Sequence, residues 1–336
     1  MSGEFSLIDQ YFAHQQACRP DVILAQGDDC AVVQVPAGQQ VAISTDTLVA
    51  GTHFLHNADP AMIAHKALAS NISDLAAMGA QPAWVSMGIS LPEVDHDWLK
   101  AFCDAFFNLA DYYGIQLIGG DTTKGPLVIT LTVQGLVPAG EAMTRSGAKV
   151  GDLVYVTGHL GDAKAGLDVI LETHQHSNKA LNNTLLERHF LSSPRVAAGL
   201  QLRGLASAAI DISDGLVADL GHILKRSNVG ADLYVDQLPV SQELKQFLAS
   251  EEACYRYALT SGEEYELCFT APKQHAQQIR SLLADTPFTC IGEITERGEI
   301  HLYQQQPTQQ SIQQQSTQQQ PIQWQLDGFD HFKANS

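Results

Sequence analysis

Several short segments place aspartate beside glycine or hydroxyl residues at the ends of apolar runs. They are "GDDC" with Asp28 and Asp29, "STDT" with Asp46, "GGDTT" with Asp121, and "IDISDG" with Asp211 and Asp214. Asp74 differs, because it lies in a helical pattern with Asn71 one turn before it on the same face. One such aspartate is typical of a turn or cap. An ionised carboxylate in apolar surroundings needs a counter-charge, so their recurrence favours bound cations.

The type of cation follows from the ligand chemistry. Few basic residues lie near these segments, Lys66, Lys124 and Arg145 being the candidates. Aspartate and hydroxyl oxygens are hard ligands that suit Mg²⁺. Mg²⁺ among acidic clusters is typical of phosphoryl transfer. The chain lacks GxxxxGK[ST] and the glycine loop of protein kinases with its HRD and DFG partners, so the pattern predicts another ATP-binding design.

Alternating strand and helix patterns position these segments. Strand patterns over "QVAISTDTLV", "AWVSMGISL", "IQLIGGDTT" and "LVITLTVQGLV" enclose two helical patterns, 60–80 and 96–114. A polar, glycine-containing stretch near residue 150 predicts a boundary between an N-terminal ATP- and magnesium-binding domain, 1–150, and a C-terminal domain, 151–336. The fold class is α/β or mixed α+β.

The second half of the chain repeats this alternation of strand and helix patterns. "ASAAIDISDGLVADLGHILKRS" predicts a strand, an aspartate-rich turn and a helix, "SGEEYELCFTAP" a strand, and "AQQIRSLLAD" a helix. Residues 304–320 are rich in glutamine and predict a mobile surface insertion, after which "WQLDGFDHF" is expected to pack on the body.

Bulk composition excludes several classes of function. The 336 residues carry 19 basic and 37 acidic side chains, a net charge of -18, which has the wrong sign for binding nucleic acid. The N-terminus has no signal-peptide pattern and no apolar run approaches the ~20 residues of a membrane span, so we expect a cytoplasmic protein without membrane partners. Six scattered cysteines without a CxxC pair predict buried free thiols.

The motifs, taken together and in order, resemble the bacterial thiamine-monophosphate kinase family. The resemblance rests on "GDDCAVV", "STDTLVAGTHF", "KALASNISDLAAMGAQPAW", "LIGGDTTKGP", "TRSGAKVGDLVYVTGHLGDAKAGL", "IDISDGLVADLGHI", "SGEEYELCFT" and "GFDHF". It covers nearly the whole chain, and the glutamine tract is the main departure. It implies the two-domain fold of aminoimidazole ribonucleotide synthetase and selenophosphate synthetase, with N-terminal strands forming a homodimer interface. It also implies transfer of the ATP γ-phosphoryl group to thiamine monophosphate, yielding thiamine diphosphate and ADP.

The resemblance implies roles for individual residues. A cage for several Mg²⁺ ions comprises Asp29, Ser44, Thr45, Asp46, Asp74, Asp121, Asp211 and Asp214. ATP contacts are Gly120, Asp121, Arg145, Ser213 and either Tyr112 or Tyr113. The acceptor pocket comprises His53, Glu263 and Phe329. Asp46, Asp121 and Arg145 are the expected catalytic residues: two phosphates repel each other, and metal ions with Arg145 offset that repulsion.

Other interpretations stay open at this stage. His53 can be structural, Glu263 a solvated turn charge, Phe329 terminal packing, and Arg145 a bridge between domains. For the whole chain, the alternatives are a related ATP-dependent cyclo-ligase that phosphorylates an amide oxygen, and a nucleotide or thiamine-phosphate sensor without turnover.

Overall fold

The computed structural model describes residues 8–12, 18–306 and 318–324, which form two compact units. Unit 1 comprises residues 1–142 and 190–196, and unit 2 comprises 143–189 and 197–336. This division differs from the predicted boundary at residue 150, because residues 143–150 belong to unit 2 and residues 190–196 belong to unit 1. Residues 143–150 adjoin the strands of unit 2, where Ala209 N donates to Thr144 O (3.0 Å) and Ala148 is buried in the core. Residues 190–196 pack on unit 1, whose His65 Nε2 lies 2.8 Å from Ser192 O.

Unit 1 is a four-stranded sheet with two long helices, preceded by a small hairpin. After a π-helical turn at Ile8–Phe12, its strands are β1 (Val22–Leu24), β2 (Val32–Val33), β3 (Gln39–Val49), β4 (Gln81–Leu91), β5 (Gln116–Lys124) and β6 (Val128–Pro138), and its helices are α1 (Pro60–Ala77) and α2 (His96–Tyr113). The main sheet has the order β3-β6-β4-β5, with β4 and β5 parallel and the other pairs antiparallel.

Local chemistry explains where the two helices begin and end. Asp59 accepts from Ala61 N (2.8 Å), with Pro60 at the first helical position of α1. Asp95 accepts from the first-turn amides of α2, and Gly114 ends that helix in the left-handed conformation (φ 65°). Thirteen of the 18 residues of α1 are buried, so this helix is central to the core of unit 1 and its position is tightly constrained.

Unit 2 is a seven-stranded sheet with helices. Its strands are β7 (Leu153–Thr157), β8 (Ala208–Asp211), β9 (Gly230–Tyr234), β10 (Leu267–Ala271), β11 (Phe288–Thr295), β12 (Ile300–Gln306) and β13 (Gln318–Ile322). Its helices are α3 (Asp162–Ile170), α4 (Lys179–Phe190), α5 (Val196–Leu202), α6 (Leu216–Ser227), α7 (Gln242–Leu248), α8 (Glu251–Thr260) and α9 (Ala276–Leu282). The order is β13-β12-β9-β11-β7-β10-β8, with only the β12–β9 pair parallel. Leu216, Leu220 and Ile223 of α6 pack with Val154 and Val156 of β7 in the core.

Three predictions from the sequence need correction. Gln304–Gln306 and Gln318–Gln320 pair across an antiparallel hairpin, so both ends of the glutamine tract are strand, while 307–317 lie outside the described residues. The strand predicted from residue 261 begins at Leu267, because Glu263 (φ 60°) and Tyr265 (φ 53°) adopt left-handed conformations that a strand excludes. Of the free cysteines, Cys18, Cys30 and Cys290 are exposed rather than buried.

No helix of the described residues is long and apolar enough to cross a membrane.

Candidate active site

The side chains of Ser44 and Asp46 meet Asp74 between strand β3 and helix α1. Ser44 Oγ donates to Asp74 Oδ2, and Asp46, two residues further along β3, faces the same side of the strand. Burial first, and the negative charge of Asp74 second, raise the pKa of Asp46 to about 6. Two carboxylates are thus held together although their charges repel, an arrangement that a bound cation would stabilise.

Thr45 lies on the opposite face of β3. Successive side chains in a strand point to opposite faces, and Thr45 Oγ1 is 2.9 Å from Thr132 Oγ1 of the neighbouring β6. The structure therefore brings Ser44 and Asp46, but not the Thr45 hydroxyl, to Asp74.

A further oxygen on α1 supports a fit to Mg²⁺. Asn71 is fully buried one turn before Asp74, and its amide nitrogen donates to Ala67 O (2.9 Å). Its Oδ1 has no hydrogen-bond partner among the described residues. The described part of the chain contains no group of three or more His, Cys, Asp or Glu able to hold a metal ion. The donor set here is two carboxylates, a hydroxyl and an amide oxygen, which are the hard ligands that Mg²⁺ binds together with water and phosphate.

The segment "GGDTT" forms β5 and presents its aspartate to solvent. Gly120 has φ 155°, and a Cβ at this position would lie 1.8 Å from Met87 O, so only glycine fits. The resulting approach accompanies a register shift between β4 and β5. Asp121 directly follows and is exposed, as is Asp29 in the loop between β1 and β2.

His53 lies in the turn that follows β3. Its Nδ1 accepts from Val49 N (3.0 Å), so in the neutral ring the proton resides on Nε2. The buried ammonium of Lys66 donates to His53 O (3.0 Å) and lies 5.5 Å from the centre of the Phe190 ring. Lys66 thus fixes the turn that bears His53, a role that its place in a helical pattern did not predict.

The two tyrosines at the end of α2 differ in environment. Tyr113 is partly buried and donates to Pro194 O (3.1 Å), and burial raises its pKa to about 12. Tyr112 is 80% exposed. Of the two, Tyr112 has the ring surface that a nucleotide base can contact.

In unit 2 the aspartate-rich turn joins β8 to α6. Asp211 ends the strand and is buried, and Ser213 and Asp214 follow in the turn. Asp219 Oδ2 accepts from the backbone amides of Ser213 (3.0 Å), Asp214 (3.0 Å) and Gly215 (3.1 Å). Burial raises the pKa of Asp219 to about 7, against the effect of these donors. Asp219 therefore holds the turn. Sequence analysis missed this residue, although its position four residues after Gly215, in the first turn of α6, could have indicated it.

Glu263 adjoins this turn through the backbone. Glu263 N donates to Ser213 O (2.8 Å) and Tyr265 N donates to Ile212 O (2.9 Å). The structure therefore brings the predicted nucleotide residue Ser213 next to the predicted acceptor residue Glu263. The side chain of Glu263 is 27% exposed.

Two other glutamates of "SGEEYEL" have structural positions. Glu264 Oε1 accepts from Gly161 N (2.7 Å) and Ser261 Oγ (2.5 Å) at the start of α3. Burial raises the pKa of Glu264 to about 8. Glu266 accepts from Thr157 Oγ1 (2.6 Å). Glu266 is buried, whereas Glu263 and Glu264 are both partly exposed, the carboxyl group of Glu264 being held by the bonds above.

Arg145 is not brought to this turn, and Phe329 cannot be compared with it. The exposed Arg145 lies in the loop held by Ser227 Oγ, which accepts from Gly147 N and Ala148 N (both 3.2 Å). That loop adjoins the beginning of β8, whereas Ser213 follows its end. Phe329 lies outside the described residues.

Comparison with known proteins defines the class. Residues 27–137 match the family model described as AIR synthase related protein, N-terminal domain, and residues 149–304 match AIR synthase related protein, C-terminal domain. The predicted mixed α/β, two-domain fold of this class is confirmed.

The particular family follows from full-length relatives. The thiamine-monophosphate kinase of Escherichia coli (strain K12) is 52% identical over 295 residues, which are 87% of this chain and 90% of that protein. The crystal structure of the thiamine-monophosphate kinase of Stenotrophomonas maltophilia K279a has a TM-score of 0.82 and 43% identity, covering 89% of this chain and 96% of that one. The chain belongs to the thiamine-monophosphate kinase family, and the prediction of a kinase is confirmed.

One similar structure contains ligands. AaThiL complexed with AMPPCP and TMP has a TM-score of 0.72 and 30% identity, with 89% of this chain and 93% of that chain covered.

Proposed function

We propose that this protein transfers the γ-phosphoryl group of ATP to the phosphate of thiamine monophosphate, in line, in a site with several Mg²⁺ ions. The observation that supports this proposal most directly is the 2.8 Å hydrogen bond from Glu263 N to Ser213 O. It holds a residue assigned to the acceptor next to a residue assigned to the nucleotide. The relatives named thiamine-monophosphate kinase and the structure complexed with AMPPCP and TMP support the choice of both substrates.

The acceptor phosphate is already an anionic nucleophile, so the reaction needs no strong general base. The main obstacle is repulsion between the two phosphates. Mg²⁺, when bound, neutralises that charge and polarises the transferring group. Asp46, Asp74, Ser44 and Asn71 would hold it in unit 1, and Asp211 and Asp214 in unit 2.

The chain's own residues position the substrates. Asp219 fixes the amides of Ser213 and Asp214, so the turn that meets the nucleotide phosphates is preorganised. We assign Glu263, His53 and Phe329 to binding of the acceptor, with Glu263 balancing its cationic ring, and we assign Arg145, Gly120, Asp121 and Tyr112 to binding of ATP. We assign Asp29 to the same magnesium cage, whereas the Thr45 hydroxyl, which lies 2.9 Å from Thr132 Oγ1, is not included.

We include a cytoplasmic homodimer in the proposal. Strand β3 is an edge strand of 11 residues, and Ile43 on its outer face is 66% exposed. An exposed edge with an apolar side chain is a ready site for pairing with another chain, which supports the dimer. Light scattering that gives the mass of one chain at micromolar concentration would contradict the dimer.

The test of the function is a product assay with γ-labelled ATP and Mg²⁺. Thiamine monophosphate, free thiamine and an amide-bearing purine precursor are offered separately. We expect label in thiamine diphosphate with one ADP per product. Label released only with the amide acceptor would favour the cyclo-ligase, and binding of thiamine monophosphate without ADP formation would favour the sensor.

A further inference from the structure

His189 lies in the last turn of α4, buried to 3% exposure, beside the loop that bears Glu263. The helix approaches α3 closely at Gly166, where a Cβ would lie 2.2 Å from Leu185 O and 2.8 Å from His189 Cβ. The imidazole is thus held in a narrow space between two helices, and its orientation is constrained by packing.

Hydrogen bonding assigns the proton on one ring nitrogen. His189 Nδ1 lies 3.0 Å from Ala163 O, and a carbonyl oxygen can only accept. Nδ1 therefore carries a proton and donates to Ala163.

The other ring nitrogen faces the acceptor residue. His189 Nε2 lies 3.5 Å from Glu263 Oε2. Because Nδ1 is turned to Ala163 O, Nε2 is the ring atom that faces the carboxyl group of Glu263, and this contact orients that group.

The surrounding contacts fix the helix turn that bears His189. Arg188, the neighbour of His189, pairs with Asp162 Oδ2 (2.5 Å) and Glu243 Oε2 (3.1 Å). Glu264 accepts from Gly161 N and Ala163 N. These bonds join α3, α4, α7 and the loop, so the helix turn that bears His189 is fixed relative to the loop that bears Glu263.

We propose that His189 is a positioning residue for the acceptor, holding the Glu263 carboxyl group where it meets the cationic ring. This inference rests on the proposed function. It predicts a specific effect on acceptor binding, because the buried His189 acts through Glu263.

Two substitutions separate this role from packing. In His189→Asn the side-chain amide reaches Ala163 O in place of Nδ1 but does not extend to Glu263, whereas the longer amide of His189→Gln reaches toward Glu263. We expect His189→Asn to raise the KM for thiamine monophosphate about tenfold with the KM for ATP within twofold, as for loss of one hydrogen bond to a charged group. His189→Gln should recover most of that loss.

A double-mutant cycle with Glu263→Gln gives the decisive readout. If His189 acts through Glu263, the variant with both His189→Asn and Glu263→Gln has the acceptor KM of Glu263→Gln alone. Multiplicative effects, or equal increases in both KM values, would overturn the inference while leaving the function intact. Failure of the wild-type chain to make thiamine diphosphate would overturn the function and this inference together.

A measurement without turnover covers the case in which His189→Asn does not fold. In ¹⁵N-histidine spectra of the full chain, Glu263→Gln should shift the Nε2 resonance of His189 and leave Nδ1 protonated. An unchanged Nε2 resonance would refute the contact.

Discussion

Replacing Asp46 by asparagine should stabilise the metal-free protein while it removes activity. Its carboxylate lies beside Asp74 and is largely removed from water, and burial with the charge of Asp74 raises its pKa from the usual 3.8 to about 6. Asparagine has nearly the same shape and no charge. Stability and catalysis are therefore expected to change in opposite directions.

The magnitude follows from proton linkage. Between pH 3.8 and 6 the unfolded chain has released the proton that the folded chain retains, so the free energy of unfolding falls as pH rises. Above pH 6 the full cost is present, about 3 kcal/mol for a displacement of about two pH units. Since Asp46 keeps some contact with water, we expect about 2 kcal/mol at pH 7.5, or about 4–8 °C in the melting temperature of a unit of this size.

The assay is a series of thermal melts from pH 4 to 8 in EDTA, paired with turnover across a Mg²⁺ titration. Asp46→Asn should melt higher than wild type at pH 7.5 and equally at pH 4, and kcat should fall about 10²–10³-fold. Mg²⁺ should raise the melting temperature of the wild type more than that of the variant. Glu93→Gln, at an exposed loop residue of unit 1, is the matched control and should change neither quantity.

Two results would refute the reasoning separately. If Asp46→Asn raised the melting temperature equally at all pH values, burial and repulsion by Asp74 could not be the causes of the raised pKa of Asp46. Near-wild-type turnover at ordinary Mg²⁺ concentration would remove Asp46 from the metal cage.

Three further predictions concern other parts of the chain. Asp219→Ala leaves three turn amides without an acceptor, so it should cost about 2 kcal/mol of stability and raise the KM for ATP. Asp219→Asn should keep both quantities near wild type, and equal losses in the two variants would exclude the amide contacts. In the wild type, the folded Glu264 carboxyl retains its proton to about pH 8 and the unfolded one does not, so the melting temperature should fall between pH 4.5 and 8. Glu264→Gln should make this fall smaller, and an unchanged pH dependence of the melting temperature would contradict the burial of the carboxyl group. Replacing residues 307–317, between the paired strands β12 and β13, by a short Gly/Ser linker should leave kcat within a few-fold, and a larger loss in a folded variant would reveal a role for the tract.

Local patterns in the sequence predicted the elements well. The helix predicted over 60–80 is Pro60–Ala77, and the pattern "QVAISTDTLV" lies within β3. These predictions succeed because apolar periodicity, caps and glycine stops act over a few residues. The face of Thr45 was also readable, since alternation along a strand separates it from Ser44 and Asp46.

Contacts between distant segments were not readable from the sequence. Nothing local indicates that His189 meets Glu263, that Lys66 donates to His53 O, or that Glu264 caps α3. Each depends on how helices and loops pack across the unit. In "SGEEYEL" the strand pattern was also misleading, because backbone bonds to Ile212 and Ser213 hold Glu263 and Tyr265 in left-handed conformations.

The left-handed backbone at Glu263 has a consequence for how specificity changes over evolution. Glutamate in this conformation costs about 1 kcal/mol relative to glycine, and asparagine is better tolerated there than glutamate. The bonds that hold the loop use the backbone of Glu263 and the side chains of its neighbours. Substitution of this glutamate can therefore raise stability without unfolding the loop. With Glu263 in its proposed role, a lineage that no longer needs a cationic acceptor can lose the carboxylate in one step and keep the rest of the enzyme as a scaffold for another acceptor.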